Sequence, residues 1–341
     1  MMRHTMKTLL PVAAALLPLV MALGQNPAPK QGARKMPPKP GIPGLAKPID
    51  TLKPDAVFPV EGVPDWLAMS EDAAWVSNKP KDSISRLDVK TNKVVATIPV
   101  GKKPCSGLAV GFGSVWVPNC EDKTISRVDI KTNAVVATVP VGPAHTEGSI
   151  TTSEDSVWIT SDPKGILSRI DPETNKVVAE VVVPPGSFAA KYGMGAVWVT
   201  STEKSVVTRV NPLNNLVEAE IEVDEKPRFL TVGEGFVWTL NQGRGTVSKI
   251  DPKLNKVVAT IEVGVPGGGG EISAGDGSVW VTAFQFPVSR IDPETNKVTY
   301  QLAGPGGDAI AVGHKSVWLS NLREQNVWRF PPHRAGGKEL D

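Results

Sequence analysis

From residue 56 onward, apolar and polar positions alternate in short runs, and the alternating block itself repeats. Tryptophans at 75, 116, 158, 198, 238, 280 and 318 follow one another at gaps of 41, 42, 40, 40, 42 and 38 residues. Seven of the nine tryptophans therefore share one register, and such a period governs how the whole chain is read. Their surroundings are alike: AAWVS, SVWVP, SVWIT, AVWVT, FVWTL, SVWVT and SVWLS. Next come ISRLD, ISRVD, LSRID, VTRVN, VSKID and VSRID, with VWRF in the last copy. A third element follows in six copies, from KVVATIPVG to KVTYQLAGP.

Each unit reads as four short strands. In the second copy they are Ser106–Val110, Val115–Pro118, Thr124–Asp129 and Ala134–Val139. The runs are rich in β-branched residues, and no helical period competes with them. Gly111-Phe112-Gly113-Ser114 separates the first two strands and has the composition of a tight hairpin. Asp-Pro-Glu-Thr-Asn-Lys at 171–176 and 292–297 separates the last two; proline presets one turn dihedral, and asparagine tolerates the left-handed region.

Four strands at a period of ~40–45 residues make a propeller blade. The expected fold is all-β: a seven-bladed β-propeller with four antiparallel strands per blade. The last copy ends after Val327–Phe330 without a fourth strand, while a spare strand, Ala56–Val60, precedes the first tryptophan copy. Pairing the two closes the seventh blade and removes two exposed edges. The repeat SVWVT…SRIDPxTNKVVATIxVG resembles the YVTN-repeat family of seven-bladed propellers. It is also similar to the streptogramin (virginiamycin B) lyase-like propellers. The resemblance covers roughly residues 56–330. It rests on blade-building residues, so it implies the fold and leaves function to the site.

The N-terminal region differs. Met1–Lys7 is short and basic, Thr8–Leu23 is apolar, and Ala22-Leu23-Gly24 offers small residues before Gln25. This is the layout of a secretory signal peptide cut near Gly24-Gln25, predicting a periplasmic or secreted protein. The apolar run of 16 residues holds Pro11 and Pro18 and is shorter than the ~20 a spanning helix needs, so the mature form is not expected to span a membrane. Residues 25–54 are rich in Pro, Gly and Lys and read as an extended spacer. The propeller is expected over 55–330, with a tail over 331–341. The formal charge is +2, but residues 1–24 carry +2 and 25–50 carry +4, leaving −4 for the rest. A mildly acidic body argues against nucleic acid as partner.

The Gly hairpins and Asp-Pro turns are short and alike, and they lie at one end of the blades. The loops at the other end vary, and variable loops on a rigid scaffold tend to carry function. The channel mouth at that end is lined by strand starts whose residues do not repeat: Asp65, Trp66, Phe188, Arg228, Phe229, Glu271 and Asp308, with Asn321 on a nearby loop. Aromatic rings as platforms and arginine as an anion clamp suit a small molecule, glycan, peptide or protein ligand.

His145 and Glu147 are the candidate acid–base pair, and Glu147 with Asp162 the nearest approach to a cation site. The resemblance implies a competing reading, a metal-assisted C–O lyase that would use magnesium; otherwise no cofactor is expected. The lyase-like propellers carry Glu-x-His-Gly at such a strand start. Here the order is His145-Thr146-Glu147-Gly148, and the histidine's position falls on Gly148, Gly270 and Asp308 in three blades, so the family's catalytic residues do not carry over. A third class is a protein-interaction scaffold. The expected state is a monomer. Counting outward from the Gly111–Ser114 hairpin places Cys105 opposite Cys120, which predicts a disulfide in an exported chain.

Overall fold

A computed structural model of the chain describes residues 1–2, 41–264 and 269–340. Residues 3–24 of the expected signal peptide and residues 25–40 of the expected spacer lie outside the described residues. Seven sheets, each with four antiparallel strands from the repeat, form the blades of the propeller. Blades are numbered here by their tryptophans, from blade one (Trp75) to blade seven (Trp318). In blade one the strands are Val63–Met69, Ala73–Lys79, Ser83–Asp88 and Lys93–Pro99. The first is innermost and the fourth outermost. The fourth strand alternates exposed and half-buried positions, as a strand with one wet face must. The turns match their composition: Phe112 and Gly113 are both left-handed, with φ of 56° and 66°, and Asn133 has φ of 55°. In blade two the first strand is shorter than expected, Ala109–Gly111, because left-handed Gly107 breaks it.

All seven repeat tryptophans are fully buried. Each burial removes about 150–250 Å² from water, so these rings dominate the packing between blades. A charged clamp runs across most seams at the hairpin end. Arg169 lies over Trp158 and donates to the Pro212 carbonyl and to Asn215 Oδ1 of the next blade, both at 3.0 Å. Arg86, Arg127, Arg209 and Lys249 do the same across their own seams. A β-bulge beside each of Arg86, Arg169, Arg209 and Lys249 in the pairing with the fourth strand re-aims the side chain.

The ring closes as expected. Ala56–Pro59 pairs antiparallel with Asn326–Phe330. Arg329 then carries the clamp from blade seven to blade one, donating to Val89 O and, at 2.9 Å, to Asn92 Oδ1.

The seam between blades six and seven is different. The fourth strand of blade seven arrives from the N-terminus, so no Asp-Pro turn faces Arg290. That side chain turns back to Ser278 and Thr299 of its own blade. Trp280 Nε1 has no acceptor, whereas the other six indoles each have one. Two segments fill this seam. Ala46–Pro48 adds a fifth, parallel strand to blade six beside Gln301–Ala303. Ile49 and Leu52 from one side and Ala335 from the other pack with Trp280, Leu302 and Phe330. Arg334 donates to Lys53 O and pairs with Asp55 at 2.5 Å. Residues 41–54 are thus a strap on the propeller rather than spacer, and the start of the tail is docked. Composition hides this: a few apolar side chains among prolines suffice once the seam supplies a groove.

No helix among the described residues is long and apolar enough to cross a membrane. Cys105 and Cys120 form a disulfide, with Cα atoms 6.0 Å apart.

Candidate functional site

Five blades carry Ser or Thr two residues after the repeat tryptophan: Ser77, Thr160, Thr200, Thr282 and Ser320. These hydroxyls fix the starts of the innermost strands. Ser77 accepts from the Trp66 N–H at 3.1 Å and Thr282 from the Glu271 N–H at 2.7 Å. They also reach the next blade. Thr160 donates to Phe188 O at 2.9 Å, Thr200 to Arg228 O at 3.4 Å and Thr282 to Asp308 O at 2.6 Å. The repeated residues therefore hold in place the residues that do not repeat. Blade two has Pro118 at this position, and there the disulfide ties the strand start instead. The cysteines are not directly opposed: the ladder is lost beyond Ala109↔Trp116 and resumes at Pro104↔Asn119, two residues out of step.

The mouth residues converge on one cluster. Trp66 packs on Phe229 with ring centroids 5.7 Å apart, and Phe188 meets Phe229 edge-on at 6.3 Å. All three rings are buried, so they form the floor of the mouth rather than open platforms. The Arg228 guanidinium lies over Phe188 at 4.8 Å and Phe229 at 5.3 Å. It also comes within 3.8 Å of Glu147 Oε1, while Trp66 Nε1 donates to Glu147 Oε2 at 3.2 Å. His145 stacks on Phe188 at 4.7 Å. Asp65 is paired with Lys79 and shares a hydrogen bond with Asp308. Glu271 accepts from the Ile310 N–H at 3.3 Å.

This crowding holds protons on carboxyls. Burial, and then the charge of Asp65, push Glu147 up to about 7. Burial pushes Glu271 up to about 8. Burial and the hydrogen bond to Asp65 push Asp308 up to about 9. Burial lowers His145 below its usual range, with Arg228 adding to the effect, so its imidazole is neutral at pH 7. A protonated carboxyl both donates and accepts. With Lys79 and Arg228 beside them, the mouth can meet polar groups of either sense and can change its protonation as it does so.

Two sequence candidates fall elsewhere. Asn321 joins the blade framework: its Oδ1 accepts from Gly307 N at 3.2 Å and its Nδ2 donates to Asn326 at 3.1 Å, much as Asn119 and Asn241 brace their own blades. Asp162 caps a turn, accepting from Lys164 N at 2.7 Å. Among the described residues no group of three His, Cys, Asp or Glu side chains is placed to hold a metal ion. Gly148 stands where the lyase resemblance would place a histidine. It is left-handed, with φ of 61°, and a Cβ there would sit 3.2 Å from Trp66 and Ala189. A Cβ on Gly270 would overlap the Thr282 carbonyl. Sequence reading missed Lys79. Its signal was its place at the end of a second strand, where the other blades carry no lysine.

Solved structures resemble this architecture. A streptogramin B lyase matches with a TM-score of 0.69 at 17% identity, over 80% of this chain and 95% of that one. Virginiamycin B lyase from Staphylococcus aureus matches at 0.67 and 15% identity, over 78% and 94%. The propeller of U3-55K matches at 0.70 and 10% identity, over 82% and 100%. The likeness is one of fold. A scan against protein-family models finds no match, and a search of curated proteins finds none.

Proposed function

We propose that this chain is an exported binding propeller, built on YVTN-type repeats, that takes a small polar ligand at the channel mouth. The observation that carries the reading is the convergence of non-repeating residues on one cluster. Lys79, Glu147, Arg228 and Asp308 present charged or proton-holding tips there, over a floor of Trp66, Phe188 and Phe229. A ligand with both donors and acceptors, such as a glycan or a short peptide, is met on both counts. The leader and the disulfide support export to the periplasm or beyond. The test is thermal shift of the purified protein against small glycans, dipeptides, a streptogramin B lactone and magnesium chloride. Binding raises the melting temperature by mass action. A hit lost in Arg228→Ala supports the mouth, and a hit that survives in it places the site elsewhere.

One observation favours an enzyme. Glu147, held near pH 7, is suited to take or give a proton at neutral pH. With Gly148 pressed against Trp66, the histidine of the lyase motif has no place. We expect no ring opening of a streptogramin B lactone, even with magnesium. Product above the no-enzyme control, lost in both Glu147→Gln and His145→Ala, would make the mouth an active site.

A further inference from the structure

The residue four places after each repeat tryptophan ends or directly follows the second strand of its blade, on the variable-loop face. In blades one to five it is polar or, as Cys120, part of the disulfide. Two of these residues reach the mouth cluster: Lys79 pairs with Asp65, and Gln242 Oε1 accepts from Arg228 at 3.3 Å. Blades six and seven depart from this and carry Phe284 and Leu322, in neighbouring blades. The rim is therefore polar along one arc and apolar along another.

Phe284 and Leu322 line a cavity of about 140 Å³ together with Gly306, Gly307 and Arg323. Phe284 is 46% exposed while Ala283 and Phe286 on either side of its loop are buried in the core, so its ring stands outside the packing between blades. Gly307 is left-handed, and a Cβ there would overlap Pro287, so this part of the lining is bare backbone. The next residue is Asp308 of the mouth. A chain of contacts ties the ring to the mouth as well. Arg228 donates to Gln242, Gln242 Nε2 donates to the Gly269 carbonyl at 2.7 Å, and Gly269 lies so close to the Phe284 ring that a Cβ would overlap it.

A phenyl ring beside a leucine offers no hydrogen bond. A sugar ring seated there would leave hydroxyls unpaired, which costs free energy. A hydrophobic side chain has nothing to leave unpaired and gains by burial. Exposed Arg323 adds a guanidinium whose fork matches a carboxylate. An apolar group and a carboxylate occur together on the C-terminal residue of a peptide. Resting on the reading of the mouth as a ligand site, we propose that its ligand is a short linear peptide ending in a large hydrophobic residue. That side chain fills the cavity of Phe284 and Leu322, its terminal carboxylate meets Arg323, and the preceding peptide groups lead past Gly307 to Asp308. Of glycan and peptide, the rim selects the peptide.

The experiment is calorimetric titration of the purified protein with dialanyl-phenylalanine, its C-terminal amide and trialanine. The phenylalanine peptide should bind about tenfold tighter than trialanine or better, the factor for burying a large apolar side chain. The amide should bind about two- to fivefold more weakly than the free acid, the range for an exposed ion pair. The double variant Phe284→Gln/Leu322→Thr supplies residues that blades five and four already carry at this position. It should melt near wild type and bind the phenylalanine peptide no better than trialanine, and Arg228→Ala should weaken both peptides. A preference for phenylalanine that the double variant loses establishes the subsite. No binding of the phenylalanine peptide, or the same preference in the double variant, would overturn it. Equal binding of the two peptides, lost in Arg228→Ala, would overturn the subsite and leave the mouth standing. Binding indifferent to Arg228→Ala would overturn the mouth and the subsite together.

Discussion

The two ends of the propeller are built on opposite rules. At the hairpin end one clamp recurs from blade to blade: a cation over its own tryptophan, donating to the turn of the next blade. At the mouth the residue at the strand start changes along the ring, and the same hydroxyl hydrogen bonds hold a phenylalanine, an arginine or an aspartate. The first end is where the seams are locked. The second is where side chains are free to differ, and there burial has driven three carboxyls out of their usual range. In a repeat protein, a departure from the repeat is therefore the informative event. The seam between blades six and seven shows the rule at the locked end as well. Where the clamp has no turn to reach, the strap and the tail replace it.

The contrast can be broken most severely at closure. Deleting the chain through Val60 removes the strap and the closing strand, and should cause loss of the folded state or aggregation. Deleting only through Lys53 removes buried Leu52 and half-buried Ile49 from the seam, and should cost about 1.5–3 kcal/mol for Leu52 and less for Ile49 while blade seven stays closed. Thermal melting separates the two, and equal melting points would contradict both assignments. A smaller effect follows from the clamp. Arg169→Met loses two cross-blade hydrogen bonds and the contact with Trp158, and should cost about 2–3 kcal/mol by chemical denaturation.

The mouth acids give a pH signature that the clamps do not. Glu147, Glu271 and Asp308 are each raised above their unfolded values of 4.5, 4.5 and 3.8. Their stabilisation is therefore whole below about pH 4 and is lost as pH climbs through about 7, 8 and 9. Stability should fall across that window in denaturant titrations, and Glu271→Gln should flatten the slope. A slope of the opposite sign would mean that the cluster is ionised when empty. The finest probe is Trp66→Phe, which removes the indole N–H that favours ionised Glu147. The Glu147 titration, followed by carboxyl carbon NMR, should move upward by about one pH unit, the size of one hydrogen bond to a charged group.

The fold was largely legible in the sequence because steric demands recur. A tryptophan fills each inter-blade layer, an asparagine takes each left-handed turn position, and a matched excess and deficit of strands gives closure. The strap was not legible. Gly41, Ile42, Leu45, Ile49 and Leu52 have no periodicity, and their docking depends on a groove that exists only once blades six and seven have met. At the mouth, the residues at strand starts could be listed from the sequence, but their state could not. Trp66, Phe188 and Phe229 turned out to be floor, and Asn321 to be framework, because burial is set by neighbours from other blades.

The central claim is that ligand recognition lives at the mouth and the clamps carry stability alone. The direct test is ligand-induced thermal shift on three proteins: wild type, Arg228→Ala and Arg169→Met, against the same panel of glycans, dipeptides and lactone. At a concentration 100-fold above Kd, a bound probe stabilises by about 2.7 kcal/mol. The account predicts that Arg169→Met melts lower but shifts as far as wild type with the bound probe, and that Arg228→Ala melts near wild type and does not shift. A full shift in Arg228→Ala with none in Arg169→Met would put recognition at the hairpin end and contradict it.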